Sequence, residues 1–213
     1  MKEYPKINTL WKRDMANGGR ILEGQWSTPE FEYLQHAEWE FTEKVDGTNI
    51  RVALVPECDK LVVAARTDAG YVPAPLEEAV RKLISPEKFD EAFTECTPGD
   101  VVLYGEGYGP KIQNGGKYRK DPGFVLFDIR VGNWWLKRED IEAVAGKLGI
   151  DVAPVIGRGT LHEAVALVRG GLCSVWGNFR AEGLVVRPLC ELRTRANHRV
   201  IGKLKDRDFA TAS

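Results

Sequence analysis

The sequence predicts a mixed chain of helices and strands, and two observations carry that expectation. Short segments with apolar residues at every second position recur from Trp39 to Lys205. Longer segments with apolar residues at helical spacing lie at 76–95, 138–148 and 160–169. At 213 residues the chain suits one domain of generous size or two small ones. Its 43% hydrophobic and 29% charged residues are ordinary for a globular protein.

Residues 1–30 carry mixed charge and little periodicity, and 1–38 as a whole reads as an N-terminal lead-in. Lys12, Arg13 and Arg20 flank a Gly18-Gly19 turn, which leaves them either surface cations or a grip on a phosphate chain. Strand pattern begins at 39–45 and meets Asp46-Gly47, a strong hairpin signal in isolation. Along 48–55, Ile50, Val52 and Leu54 share one face, with Asn49 and Arg51 on the other. A third strand at 60–66 ends on Arg66, a strand-end cation within reach of a pocket shared with Lys44.

Helical spacing then places Leu76, Val80, Leu83 and Ile84 together. Ser85-Pro86 restarts the helix, with serine as N-cap and proline at the first helical position. Phe89 and Phe93, four apart, read as core. Pro98-Gly99-Asp100 turns the chain into a strand at 101–109, where Glu106 is the lone charge among glycines that let a ligand approach the backbone. Two familiar phosphate motifs fail here. Lys111–Tyr118 lacks the first glycine and the final Ser or Thr of a P-loop, and no helix pattern follows Gly105, Gly107 and Gly109.

Residues 124–130 form an apolar strand, and Gly132-Asn133 turns into Trp134–Leu136. The helix at 138–148 stops at Gly149. A second begins at Thr160, forms a capping box with Glu163 and runs to about Arg169. Residues 181–188 read as a buried strand introduced by Glu182-Gly183. The tail gathers Arg193, Arg195, Arg199, Lys203, Lys205 and Arg207. Lys203 and Lys205, two apart on a strand, point to one face and form either a solvated pair or a phosphate clamp.

Composition and spacing exclude several function classes. A net charge of −1 is incompatible with a grossly basic nucleic-acid coat but allows a local basic face. Cys58, Cys96, Cys173 and Cys190 are scattered, so neither a disulfide framework nor a zinc site is expected, and a reducing cytosol fits. His36, His162 and His198 have no partners at metal-ligand spacing. No run approaches a membrane span and the start lacks a secretory apolar region, so a cytoplasmic protein without membrane contact is expected.

The most reactive stretch is Thr42–Arg51, TEKVDGTNIR. Lys44 is a candidate nucleophile, because a neutral amine attacks phosphate. Glu43 and Asp46 alone favour its charged form, so nearby cations or a metal must offset them.

In order, the chain presents EKVDGTN at 43–49, LYGEGYG at 103–109, FVLFDI at 124–129, AEGLVVRP at 181–188 and IGKLK at 201–205. This series resembles the covalent nucleotidyltransferase superfamily of polynucleotide ligases and mRNA-capping enzymes. Within it, the chain looks like the RNA ligase 2-like family of phage-type ATP-dependent RNA ligases. The run Gly105-Glu106 through Gly109-Pro110 and Ile112-Gln113 matches a pattern typical there. Asp46 stands where some of those relatives carry His, and is the form common in DNA ligases and capping enzymes.

The resemblance implies an α+β fold, a ligase-type nucleotidyltransferase core of packed antiparallel sheets with flanking helices. It implies a single such domain over 1–213 without the C-terminal helical or OB-fold domain of relatives, so that substrate binding is expected to come from the core's own surface or from a protein partner that replaces that domain. It also implies that Lys44 takes AMP from ATP, passes it to a 5′-phosphate end, and allows a 3′-hydroxyl to displace it. Lys203 and Lys205 stabilise the phosphate charge, and Glu182 holds Mg²⁺ or Mn²⁺ through water. Glu106 contacts the ribose, Phe127 stacks on adenine, and Asn49 and Arg66 lie near the sugar–phosphate or the incoming nucleic-acid end. Glu43 lies beside the nucleotide. The expected nucleic acid is RNA with 5′-phosphate and 3′-hydroxyl ends, as in RNA repair, in a host cytoplasm if phage-encoded. Two alternatives remain open: a DNA nick ligase or GTP-using capping-type enzyme, and a non-catalytic end-binding module or partner-dependent subunit.

Overall fold

The computed structural model describes residues 1–55, 60–96 and 99–209; Cys58 and Pro98 lie outside the described residues. In chain order the elements begin with strands β1 (Asn8–Thr9), β2 (Trp11–Asp14) and β3 (Arg20–Trp26), helix α1 (Pro29–Tyr33) and strand β4 (Trp39–Glu43). Next come β5 (Thr48–Val55), β6 (Lys60–Ala65), α2 (Ala74–Leu83), α3 (Pro86–Ala92), β7 (Val101–Tyr108), β8 (Gly123–Val131) and β9 (Trp134–Trp135). The remainder comprises α4 (Arg138–Leu148), β10 (Asp151–Val152), β11 (Val155–Gly159), α5 (Leu161–Arg169), β12 (Gly183–Pro188) and β13 (Gly202–Lys205). Contacts divide these into two units: Met1–Pro5 with Val45–Ala153, and Lys6–Lys44 with Pro154–Ser213.

The first unit is built on a sheet of order β10-β8-β7-β5-β6, with β9 paired to β8. Its pairs are antiparallel except β10 with β8. One face carries Ile50, Val52, Leu54, Leu103, Phe124 and Ile129 into a core closed by α2, α3 and α4. The expected restart at Ser85 is present, its hydroxyl accepting the Lys88 N–H, and Phe89 and Phe93 are buried with ring centroids 4.9 Å apart. Gly149 ends α4 in the left-handed region at φ 68°.

The opposite face departs from the expected polar side. Arg51 is fully buried, and its guanidinium donates to the carbonyls of Ala65 (2.6 Å) and Met1 (2.8 Å) and to Asp68 (2.7 Å). Tyr104 donates its hydroxyl to the Lys2 carbonyl at 2.9 Å, and Tyr4 donates to Asp128 at 2.7 Å. The first five residues thus strap this face, supplying one of the acceptors of the buried Arg51 and a donor to the buried Asp128.

The second unit holds a sheet of order β1-β13-β12-β4-β11 and a two-stranded ribbon, β2-β3. Leu10, Phe31, Trp39, Phe41, Leu184 and Val186 pack with α5 residues Leu161, Ala164 and Val168 as its core. Thr160 and Glu163 form the expected capping box. Two expectations need correction. Asp46-Gly47 does not close a hairpin, because β4 pairs with β11 and β12 whereas β5 pairs with β6 and β7. The glycine is there for close approach: a Cβ at Gly47 would lie 2.3 Å from the Gly107 carbonyl oxygen. Likewise, residues 1–38 are more than a lead-in: they supply β1, which pairs with the distant β13, the local ribbon β2-β3, and α1.

Candidate active site

Lys44 directly follows β4, and its backbone N–H donates to the Gly183 carbonyl at 3.0 Å. This bond sets the lysine beside Glu182, the residue before β12. Close packing at that point requires glycine. Gly183 has φ 153°, and a Cβ there would sit 1.9 Å from the Leu204 carbonyl oxygen on β13. The strands therefore bring three motifs into one register, with Leu184 opposite Glu43 on one side and Leu204 on the other.

Glu182 bridges two lysines. Its Oε2 accepts the Lys44 ammonium at 2.6 Å and its Oε1 accepts Lys205 at 2.7 Å. All three side chains are mostly covered, with 14–21% exposure. Lys203 lies two residues before Lys205 on β13, where the buried Gly202 and Leu204 alternate with the two lysines. Burial, then the charges of Lys205 and Lys44, push the Lys203 ammonium down to about 8, with Glu182 opposing and the Arg13 charge adding to the fall. One carboxylate among three lysines leaves an excess of positive charge, which suits a phosphate chain, while Arg13 is balanced by Asp208 at 2.6 Å.

Glu43 faces inward. It is 1% exposed, its Oε2 accepts the Val175 N–H at 2.9 Å, and its Oε1 is buried without a hydrogen-bond partner among the described residues. Burial pushes this carboxyl up, against the lowering effect of the Ser174 hydroxyl and the Val175 N–H.

The remaining candidates belong to the first unit. Asn49 and Glu106 are directly paired across β5 and β7. Asn49 Oδ1 is buried without a hydrogen-bond partner among the described residues. Phe127 is the extra residue of a β-bulge, since Tyr104 pairs with Asp128 while Gly105 pairs with Leu126. A bulge re-aims a side chain, and such features concentrate beside active sites. Phe127 is half-buried and meets the Tyr4 ring edge-on at 5.0 Å, whereas Phe124 is 1% exposed and fills the core over Gly105. Arg66 is exposed, one residue beyond β6.

Lys44, Glu182, Lys203 and Lys205 therefore form one cluster, and Asn49 and Glu106 form a second pair. Arg13 and Tyr4 were not singled out as site residues by sequence. Arg13 had a weak signal as one of several cations near a glycine turn, and Tyr4 had none.

Among the described residues, no three His, Cys, Asp or Glu side chains group as a metal cage, and no helix is long and apolar enough to cross a membrane. Cys96, Cys173 and Cys190 are free thiols.

The fold is that of the nucleotidyltransferase portion of RNA ligases. A Naegleria gruberi RNA ligase mutant with ATP and Mn superposes with a TM-score of 0.64 at 20% identity, covering 96% of this chain and 57% of that one. The same ligase with pyrophosphate gives 0.64 at 20% identity, covering 96% and 58%. An archaeal ATP-dependent RNA ligase gives 0.65 at 19% identity, covering 98% of this chain and 49% of the other. The chain thus spans about half to three fifths of these proteins. The sequence profile of the RNA ligase family matches residues 37–205, and the chain belongs to that family. No curated protein sequence matches it.

Proposed function

We propose that this chain is the nucleotidyltransferase core of an ATP-dependent RNA ligase, a single functional domain that joins 5′-phosphate and 3′-hydroxyl ends through a lysyl-AMP. The observation that carries this reading is the Lys44–Glu182–Lys205 bridge at 2.6 and 2.7 Å, with the depressed Lys203 beside it. Family membership supports RNA as the substrate. The Naegleria structures with ATP and Mn, with AMP and Mn and with pyrophosphate support the nucleotide and metal.

In the first step Lys44 Nζ attacks the α-phosphorus. The ammonium first gives one proton to its hydrogen-bonded acceptor, Glu182, which frees the nitrogen lone pair; the N–P bond then forms as the bond to pyrophosphate breaks, and the departing pyrophosphate takes the second proton. Lys203 and Lys205 face the charge that builds on the phosphate oxygens. In the second step a 5′-phosphate oxygen displaces Lys44 from AMP; in the third, the 3′-hydroxyl displaces AMP. Splitting the joining into such displacements replaces one hard step by easier ones.

A single carboxylate beside the phosphate site fits a Mg²⁺ or Mn²⁺ held largely by water and phosphate, as hard divalent cations at nucleotide sites are. Glu182 would hold it, and the ion would supply charge neutralisation at the phosphates. Glu106 and Asn49 are assigned to the ribose and sugar–phosphate, Phe127 to the adenine, and Arg66 to the incoming strand. Glu43, whose carboxylate is turned inward, supports the lysine-bearing strand.

Incubation with α-labelled ATP and Mg²⁺ or Mn²⁺, followed by a denaturing gel and intact mass, tests this directly. One AMP adduct on Lys44 is expected, and none on Lys44→Ala. Labelling that persists in Lys44→Ala, or no adduct from folded wild type with either metal, overturns the assignment.

A further inference from the structure

The N-terminal ribbon leaves a feature that the lysine chemistry does not use. A pocket of about 770 Å³ in the second unit is lined by four arginines, Arg13, Arg20, Arg169 and Arg207. Gly18 and Gly19, both left-handed at φ 66° and 74°, turn β2 back into β3 and bring Arg13 and Arg20 to one end of the ribbon. Asp206–Asp208, the turn that follows β13, supplies Arg207.

The four arginines are not equivalent. Arg13 donates to the Gly19 carbonyl at 2.7 Å and pairs with Asp208 at 2.6 Å. Arg169 pairs with Glu23 and lies over the Phe209 ring at 5.5 Å. These two are neutralised, and with Phe209 they form a wall that has an aromatic surface. Arg20 and Arg207 are exposed, and neither has a carboxylate partner among the described residues. The pocket therefore carries two guanidiniums on its rim that no carboxylate compensates among the described residues. Guanidinium forks match phosphate oxygens in geometry and charge. The pocket also adjoins the lysine cluster, because Arg13 is one of the charges that depress Lys203 and Arg207 lies two residues beyond Lys205.

We infer that this arginine pocket is the docking site for backbone phosphates of the RNA strand whose end is joined, separate from the Lys44 cluster that handles the nucleotide. The inference rests on the RNA ligase reading for its choice of ligand. Phosphate contacts position a strand without reading its sequence. A pocket one turn along the chain from Lys205 holds the strand while its terminus reaches the reacting phosphate.

The test uses the double variant Arg20→Ala/Arg207→Ala, a conservative Arg20→Lys/Arg207→Lys control, and Lys147→Ala, which removes an exposed cation on α4. Binding of a short fluorescent RNA, with either a 5′-phosphate or a 5′-hydroxyl, is followed by anisotropy across a salt series, and lysyl-AMP formation is measured in parallel. The alanine variant should bind both RNAs about tenfold more weakly near physiological salt. Its plot of log affinity against log salt should flatten by about 1.5, two phosphate contacts at roughly 0.7–0.9 each. The lysine variant should keep the wild-type slope, Lys147→Ala should match wild type, and the KM for ATP in adduct formation should not change.

An unchanged salt slope in the alanine variant overturns the inference. A raised KM for ATP reassigns the pocket to the outer phosphates of the nucleotide and also overturns it. So does a defect confined to the 5′-phosphorylated RNA, which would mean terminal-phosphate recognition. Absence of lysyl-AMP in wild type refutes the ligase reading alone, since the RNA-binding measurements stand without it.

Discussion

Lys203 should cost the protein stability at neutral pH, and replacing it with methionine should return that stability while removing function. The ammonium is brought from 10.5 to about 8 by burial and by the charges of Lys205 and Lys44. Fully buried, a fall of about 2.5 in pKa would correspond to about 3.4 kcal/mol. Lys203 is only half-buried, and solvent screening reduces this to about 1–2 kcal/mol. The sign follows from proton binding. Below pH 8 both folded and unfolded lysine are charged, and the folded state bears the penalty. Between about 8 and 10.5 the unfolded lysine keeps its proton while the folded one loses it, so stability rises with pH across that window. Lys203→Met should therefore melt about 2–8 °C higher than wild type at pH 7, converting the energy at roughly 2–4 °C per kcal/mol. Its melting temperature should lack the rise above pH 8. Adduct formation with ATP should fall by on the order of 10²–10³, the usual loss for a group that stabilises charge in the transition state. Thermal melts from pH 7 to 10.5, paired with the labelling assay, measure both. A methionine variant less stable than wild type at pH 7, or one that keeps the full alkaline rise, would refute the reasoning.

Three further outcomes follow from the same geometry. Gly183→Ala should unfold the second unit or lower its stability by at least about 3 kcal/mol, because the new methyl meets the Leu204 carbonyl; a urea titration with wild-type midpoint would contradict this. Glu43→Gln keeps an acceptor for the Val175 N–H and removes a carboxylate whose folded pKa burial raises. That ionised form burdens the fold above the ordinary carboxylate range, so the variant should be the more stable at pH 7 and match wild type near pH 4, as read by melting temperature. Glu182→Ala should still bind ATP but lose its metal-dependent turnover; a metal titration that overlays wild type would sink the metal assignment.

The α+β class, the segments of strand and helix, and the paired Lys203 and Lys205 were all legible in the sequence. Each depends on local periodicity or a local cap: Ser85 before Pro86, Thr160 with Glu163, Gly149 after α4. The order of five short motifs along the chain was enough to indicate the family, because it specifies residue types at fixed strand positions.

Tertiary structure alone decided the rest. Asp46-Gly47 looks like a hairpin locally, yet β4 and β5 find partners elsewhere, since pairing depends on buried faces far apart in sequence. Arg51 alternates as if solvated, but it is buried, and the Met1 and Ala65 carbonyls and Asp68 supply its acceptors. Phe127 and Phe124 are indistinguishable by composition, and the bulge, a property of two strands together, separates them. Lys44 likewise has Glu43 and Asp46, and no cation, as its near neighbours in its own segment. Only the pairing of β4, β12 and β13 brings Glu182, Lys203 and Lys205 to it, because strand register converts distances of more than a hundred residues into hydrogen-bond contacts.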